Sequence, residues 1–374
     1  MKKRIQIVTW LGNGNFGTSL QSYALYHFLS IKGYDCSILS SFNYKHFSLK
    51  DYLKMILSAL GIMKIRERRK IKKATDSRKL MKLSEFFEHN IRQESVSNPW
   101  QYRNLLRNTD VFCVGSDQVW NAYFNFSQFN FLDFAGNVKR ISYASSMGTK
   151  DFPEEYKETI KNLLLKFAHI SLRETTGREA VSRLTGRNDI KTVLDPTFLL
   201  TTKDWNSVSE QSRIEISLPK NYMLVYLIGN NDNYPKQVLE LQTKTGIENV
   251  IVIPAVENPN FEIKGSIVYR DAAVAEFVKL IKNAAWVCTD SFHATALSIN
   301  IGKNFTEFLR FKDSDQGSQN SRIYDVLDTF MLQNRLYNEM QDLWSKPIDY
   351  KESHAILDHL RKDSTDWLVN AIEA

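Results

Sequence analysis

Residues 284–299 read Ala-Ala-Trp-Val-Cys-Thr-Asp-Ser-Phe-His-Ala-Thr-Ala-Leu-Ser-Ile. Trp286, Val287 and Cys288 form a short apolar run with a β-branched centre, the pattern of a buried strand's end. Thr289, Asp290 and Ser291 are residues that cap helices, and the small or apolar positions after them (Ala294, Ala296, Leu297, Ile299) suit a helix lying on a sheet. The stretch is therefore a strand, a polar turn and a helix N-terminus, with His293 in the first helical turn. Free backbone N–H groups and the positive end of the helix dipole attract anions there. A histidine so placed can exchange protons with a bound anion. A capping Asp/Ser pair beside a packed histidine is the other reading of the same residues.

Working outward, the segments around this stretch alternate in the same way. An apolar run at 222–229, a helical pattern near 234–245, a strand at 250–254 and a helix at 273–283 precede it. Together they predict an α/β domain. The N-terminal half opens on a strand at 4–10, then Gly12-Asn13-Gly14-Asn15-Phe16-Gly17, a helix from Thr18 and a second strand at 36–39. The glycines match the letters of a dinucleotide fingerprint, but Ser40, Ser41 and Phe42 stand where the ribose-binding acid would be needed. The loop is better read as backbone lying close to a substrate or phosphate group, with Gly14, Asn15 and Gly17 in contact with it.

A strand at 110–114 ends in Gly115-Ser116-Asp117-Gln118-Val119-Trp120-Asn121. A purely structural turn seldom needs so many hydrogen-bonding side chains, whereas a polar ligand at an α/β switch point does. Ser116, Asp117, Gln118 and Asn121 are therefore candidate ligand contacts. Strands at 140–146, 169–174 and 192–194 follow, with helices near 154–167 and 176–184, and each strand again runs into polar residues. Four successive polar strand ends line one edge of a parallel sheet. Residues 201–220 are polar, without a core pattern, and read as the connection between two domains, 1–200 and 201–374. The tail from about 322 is mostly helical. Two Rossmann-like domains facing across a cleft, braced by C-terminal helices, make a GT-B-like architecture.

Bulk properties are those of an ordinary soluble globular protein. The chain has 374 residues, enough for two cores, and its 43% hydrophobic and 24% charged content is ordinary for a soluble protein. The basic start leads into an apolar run too short for a signal peptide, and no stretch is long enough to span a membrane, so a cytoplasmic location is expected. Cys36, Cys113 and Cys288 each sit in an apolar run and read as buried thiols, and no metal-ligand spacing is present. The net charge of +7 is concentrated in residues 64–82, leaving the rest of the chain nearly neutral. No nucleic-acid motif accompanies this cluster. With the apolar segment 52–60 before it, it forms a basic helical insertion (about 43–95) that either touches anionic membrane or presents a solvated face.

GSDQVWN (115–121), ISYASSMG (141–148), SLRE (171–174), VLDPTFLL (193–200), EFVKLIKNAAWVCTDSFHATALSI (276–299) and NSRI (320–323) occur in that order, after GNGNFGTSLQSYAL near the start. This ordered set resembles the polysaccharide pyruvyl transferase family over about residues 7 to 330. The resemblance implies transfer of a pyruvyl group from phosphoenolpyruvate, as donor substrate and without a further cofactor, to a sugar of a bacterial capsular or surface glycan, forming a ketal. The acceptor would be a glycan or lipid-linked oligosaccharide. His293 would then serve as acid and base, Arg173 would hold a carboxylate or phosphate, and Asp117 would act as base while Gln118 and Asn121 orient sugar hydroxyls. The turn with Asp290 and Ser291 would cradle phosphate. Pyruvyl transferases of the family carry Arg-x-His where this chain has Ser291-Phe292-His293, so Arg310 or Arg322 would have to supply the cation. A GT-B glycosyltransferase using a nucleotide sugar is the alternative.

Overall fold

The computed structural model describes residues 2–12, 14–42, 77–311 and 319–374. Two parallel sheets organise these residues. The first contains β1 (Arg4–Val8), β2 (Asp35–Phe42), β3 (Gln93–Val96), β4 (Val111–Val114), β5 (Lys139–Ser145), β6 (His169–Leu172) and β7 (Lys191–Thr192), in the order β3-β2-β1-β4-β5-β6-β7. The second contains β8 (Tyr222–Tyr226), β9 (Asn249–Val252), β10 (Ile267–Val268), β11 (Trp286–Thr289) and β12 (Phe305–Glu307), in the order β10-β9-β8-β11-β12. All of β4, β8 and β11 is buried, as expected of strands covered on both faces by helices. Chain order reverses between β1 and β4 in one sheet and between β8 and β11 in the other. The loops leaving such a pair of strands diverge and leave a crevice at the strands' C-terminal ends.

Each crevice is flanked by a helix that starts there. The helix Phe16–Ile31 begins two residues before the expected Thr18, because Asn15 caps it by accepting a hydrogen bond from the Thr18 backbone N–H at 3.3 Å. Its first residue crosses into the other half. The Phe16 ring stacks on Phe277 at 4.3 Å between centroids and meets Tyr226 edge-on at 5.4 Å. One apolar cluster therefore runs through both sheets.

Two expectations need correction. Residues 201–220 are not a bare connection, because Thr202–Glu210 is a helix with a Thr201/Asp204 capping box. It buries Trp205 and Val208 beside the helix Val274–Asn283. Two apolar residues three apart are too few to show as a periodic pattern. The end of the basic insertion also belongs to the fold: β3 pairs with β2, and the helix Ser77–Asn90 precedes it. There Lys82 Nζ donates to the Arg213 carbonyl at 3.0 Å, and Arg78 lies 3.6 Å from Glu215. The apolar segment 52–60 and residues 64–76, on which the membrane reading rests, lie outside the described residues. Among the described residues no helix is long and apolar enough to cross a membrane. Cys36, Cys113 and Cys288 are free and buried, on β2, β4 and β11.

The last helix, Lys351–Glu373, ties the two halves together. Near its start, Ser353 Oγ donates to the Phe330 carbonyl, and His354 Nε2 lies 2.9 Å from the Ile299 carbonyl oxygen. Further along, Ser364 Oγ accepts from the Leu194 N–H, Trp367 packs near Tyr143, and Lys3 Nζ donates to the Ile372 carbonyl.

Candidate active site

The two crevices open onto one another. Between them lies a cleft of about 210 Å³, bounded on the first-sheet side by Trp10, Asn15, Thr18, Asp117 and Gln118, and on the second by Ile228, Ser291, His293, Arg310 and Arg322. Asn15, Asp117, Gln118, Ser291, His293 and Arg322, six of the residues singled out from the sequence, thus share one space.

His293 stands in the first turn of the helix Phe292–Ile301 and is 6% exposed. Its Nε2 lies 3.6 Å from Asp195 Oδ2, an ion-pair distance beyond that of a hydrogen bond. Its Nδ1 faces Gly17, where a β-carbon would come within 2.2 Å of that nitrogen. Gly17 is therefore a seat for the imidazole and not a contact for phosphate. The close approach inferred for the glycine loop is real, but its object is the histidine of the other half.

Asp195 is the hub beneath the cleft. Its Oδ2 accepts hydrogen bonds from Arg173 Nη1 at 3.0 Å and Ser116 Oγ at 3.1 Å, and its Oδ1 accepts from Thr197 N and Oγ1. Burial alone would push this carboxyl up, but His293 and Arg173 hold it below the ordinary carboxylate range. Sequence reading missed it, although the residue stands in the quoted VLDPTFLL motif. An aspartate before proline after a short strand looks like a turn, and nothing local reveals that it faces an arginine 22 residues away.

Arg173 is held as firmly. Nε donates to Glu174 Oε1 at 2.9 Å, and the guanidinium lies over the Phe292 ring at 4.3 Å. Burial would lower its pKa, but Glu174, Asp195 and Asp117 reverse the effect and raise it. Only Nη2 lacks a partner among the described residues. Arg173, expected to hold a carboxylate or phosphate of the ligand, or else to pair with a nearby acid such as Glu174, has two of its nitrogens committed to Glu174 and Asp195.

Arg322 has the opposite setting. Its Nη2 donates to Gln319 Oε1 at 2.6 Å, and no ion pair joins it to a carboxylate among the described residues. Burial and then the Arg173 and Arg310 guanidiniums push its pKa down to about 10. Arg310 completes the group, with Nη2 donating to the Asp290 carbonyl at 3.1 Å and Nε 3.5 Å from Asp290 Oδ2.

The other sequence candidates serve the frame. The Asp290 side chain, expected among the ligand contacts, is committed within the protein. Its carboxylate accepts from the Ile228 and Gly229 N–H groups, both at 2.7 Å, and from Tyr234 Oη at 2.9 Å, stitching β11 to the end of β8. Ser116 Oγ, fully buried, shares its one proton between the Ala144 carbonyl at 2.8 Å and Asp195 Oδ2 at 3.1 Å. Asn121 caps the short helix Ala122–Asn125 and donates to Gln118 Oε1 at 2.7 Å. Gly14 takes a φ of +91° against Val256, outside the cleft wall. Asp117 accepts from Thr18 Oγ1 at 2.8 Å, and Gln118 donates to Gln319 Oε1 at 3.0 Å. Ser291 makes no side-chain cap for its own helix, leaving that N-terminus open to the cleft.

Comparison with known proteins agrees with this architecture. UDP-GlcNAc 2-epimerase from Neisseria meningitidis, bound to UDP-GlcNAc, superposes with a TM-score of 0.51 at 12% identity, covering 99% of this chain and 99% of that one. UGT89C1 from Arabidopsis thaliana, complexed with UDP-L-rhamnose, gives 0.50 at 12% identity, covering 100% of this chain and 99% of that one. These likenesses show the fold, a GT-B-like pair of parallel sheets. No curated protein matches the chain in sequence. The family described as Polysaccharide pyruvyl transferase matches residues 15–307, and the chain belongs to it.

Proposed function

We propose that this member of the polysaccharide pyruvyl transferase family transfers the pyruvyl unit of phosphoenolpyruvate to a sugar of a bacterial surface glycan. The observation that carries the reading is the charge at the cleft: Arg322, whose pKa burial and then the Arg173 and Arg310 guanidiniums lower against the pull of Glu174 and Asp117, stands without an ion pair among the described residues, beside an open helix N-terminus and His293. A ligand with a carboxylate and a phosphate would relieve that repulsion. Arg310 and Arg322 take the place of the arginine that Ser291 does not supply.

Ketal formation protonates the enol methylene and breaks the bond from C2 to the phosphate oxygen. Two sugar hydroxyls add at C2, and their protons leave to base and to the departing phosphate. His293 donates and accepts the protons, and Asp195, fixed by Arg173, Ser116 and Thr197, steadies the imidazolium. Asp117 and Gln118 orient the attacking hydroxyls from the first-sheet side. The acceptor is a glycan or a lipid-linked oligosaccharide. Contact with anionic membrane through residues 64–82 would bring the enzyme to such an acceptor, and liposome co-sedimentation that Lys/Arg→Ala changes there leave unaltered would refute the contact.

Thermal-shift titration tests the donor. Phosphoenolpyruvate is expected to raise the melting temperature of the wild-type protein. A shift given only by UDP- or GDP-sugars would replace this reading with a nucleotide-sugar glycosyltransferase.

A further inference from the structure

A second cavity of about 440 Å³, twice the volume of the cleft, lies between β7 and the helices Ser321–Thr329 and Lys351–Glu373. It touches the cleft through Phe292 and Arg322, which line both spaces. Its walls are aromatic, with Phe198, Phe292, Phe330 and Trp367 around it. Its polar end is unusual. Arg173 Nη2, Glu174 Oε2, Arg322 Nε and Asp325 Oδ2 are buried atoms of lining residues, and each lacks a hydrogen-bond partner among the described residues. The side chains of Arg173 and Glu174 are only 3% and 5% exposed, so bulk water does not satisfy them.

The mixture of these groups selects the ligand. A phosphate that accepted from Arg173 and Arg322 would meet two carboxylates. An ammonium that donated to Glu174 and Asp325 would meet two guanidiniums. A hydroxyl both donates and accepts, so neighbouring hydroxyls on an uncharged ring meet donors and acceptors alike without adding charge to a set that already balances. The C–H face of such a ring is apolar and packs on aromatic walls. We infer that this cavity binds an uncharged pyranose unit of the glycan acceptor, next to the sugar that reacts. The assignment to an acceptor rests on the function proposed above, whereas the preference for a neutral, hydroxyl-rich ring rests on the cavity alone.

Saturation-transfer NMR with methyl glycosides of glucose, galactose, mannose and N-acetylglucosamine, run beside a phosphoenolpyruvate thermal shift, tests this inference. Thr329 lines the cavity from an exposed position at the helix end, so Thr329→Trp fills the space from its rim. Asp325→Asn keeps the shape and removes one acceptor charge. At least one methyl pyranoside is expected to bind the wild type and to bind both variants about tenfold more weakly, with the phosphoenolpyruvate shift unchanged. Should Thr329→Trp fail to fold, Asp325→Asn alone decides. Equal pyranoside binding by wild type and Asp325→Asn overturns the inference, as does an absence of pyranoside binding while phosphoenolpyruvate still shifts the melting temperature. Variant-sensitive pyranoside binding without any phosphoenolpyruvate shift upholds the sugar cavity and refutes the proposed donor.

Discussion

The end of β6 and the start of the helix Ser321–Thr329 each bury an arginine, and the two are handled in opposite ways. Arg173 lies between Glu174 and Asp195, and its pKa rises despite burial. Arg322 has an amide for its close partner, and its pKa falls to about 10. A buried charge ion-paired to its counter-charge is part of the framework, and one that carboxylates reach only at longer range is placed to take up an anion. The comparison teaches that the residue type alone does not mark the ligand-binding arginine. The balance of charge around it does.

The sharpest way to break this comparison is Asp195→Ala, which strips Arg173 and His293 of a shared carboxylate. Breaking a buried ion pair costs about 3–5 kcal/mol, so a large fall in melting temperature is expected; an unchanged value would show that the network is not the frame. Next comes His293→Ala, for which turnover should drop about 10²-fold or more with little loss of stability. Gly17→Ala should reproduce much of that defect with the imidazole still present, since its new methyl occupies the ring's seat. Full activity in Gly17→Ala would mean the ring has no fixed position.

Arg322→Met offers the direct contrast to Asp195→Ala. Removing a buried cation that has no ion pair among the described residues should leave the melting temperature unchanged or higher, while phosphoenolpyruvate binds roughly tenfold more weakly, as the loss of one charge-assisted hydrogen bond implies. A stability loss as large as that of Asp195→Ala would erase the distinction. The smallest effect belongs to Asp325, whose carboxyl burial raises from 3.8 to about 6. Its ionisation therefore weighs against the native state, fully above about pH 6 and not at all below about pH 4. Asp325→Asn should stabilise the protein at pH 8 by about 1 kcal/mol, after allowance for partial exposure, and the gain should vanish at pH 4. A gain independent of pH would assign the effect to packing.

The sheets were legible because their strands are apolar runs that end in polar residues, and position along one edge followed from topology alone. His293, Asp117, Gln118 and Ser291 could be found because they stand at those edges, whereas Arg322, on the helix Ser321–Thr329, could be found only through the family motif NSRI. Asp195 could not be recognised as a hub, nor Gly17 as the seat of an imidazole, since each role depends on a partner from a distant strand or from the other half. Asp290 shows the converse error. It has the residue type and place of a ligand contact, but its carboxylate is spent on the N–H groups of the neighbouring strand's end. Nor could local pattern show the helix Thr202–Glu210, whose buried face is two residues wide.

The helix Lys351–Glu373 has a consequence for how the chain matures. It follows the whole second sheet in order of synthesis, yet it supplies the partners of Lys3, Tyr143 and Leu194 in the first half. A nascent N-terminal half emerging from the ribosome therefore presents an uncovered apolar flank until translation has passed residue 372. Stalled or prematurely terminated chains would expose that flank permanently, which makes them natural clients for chaperones and proteases.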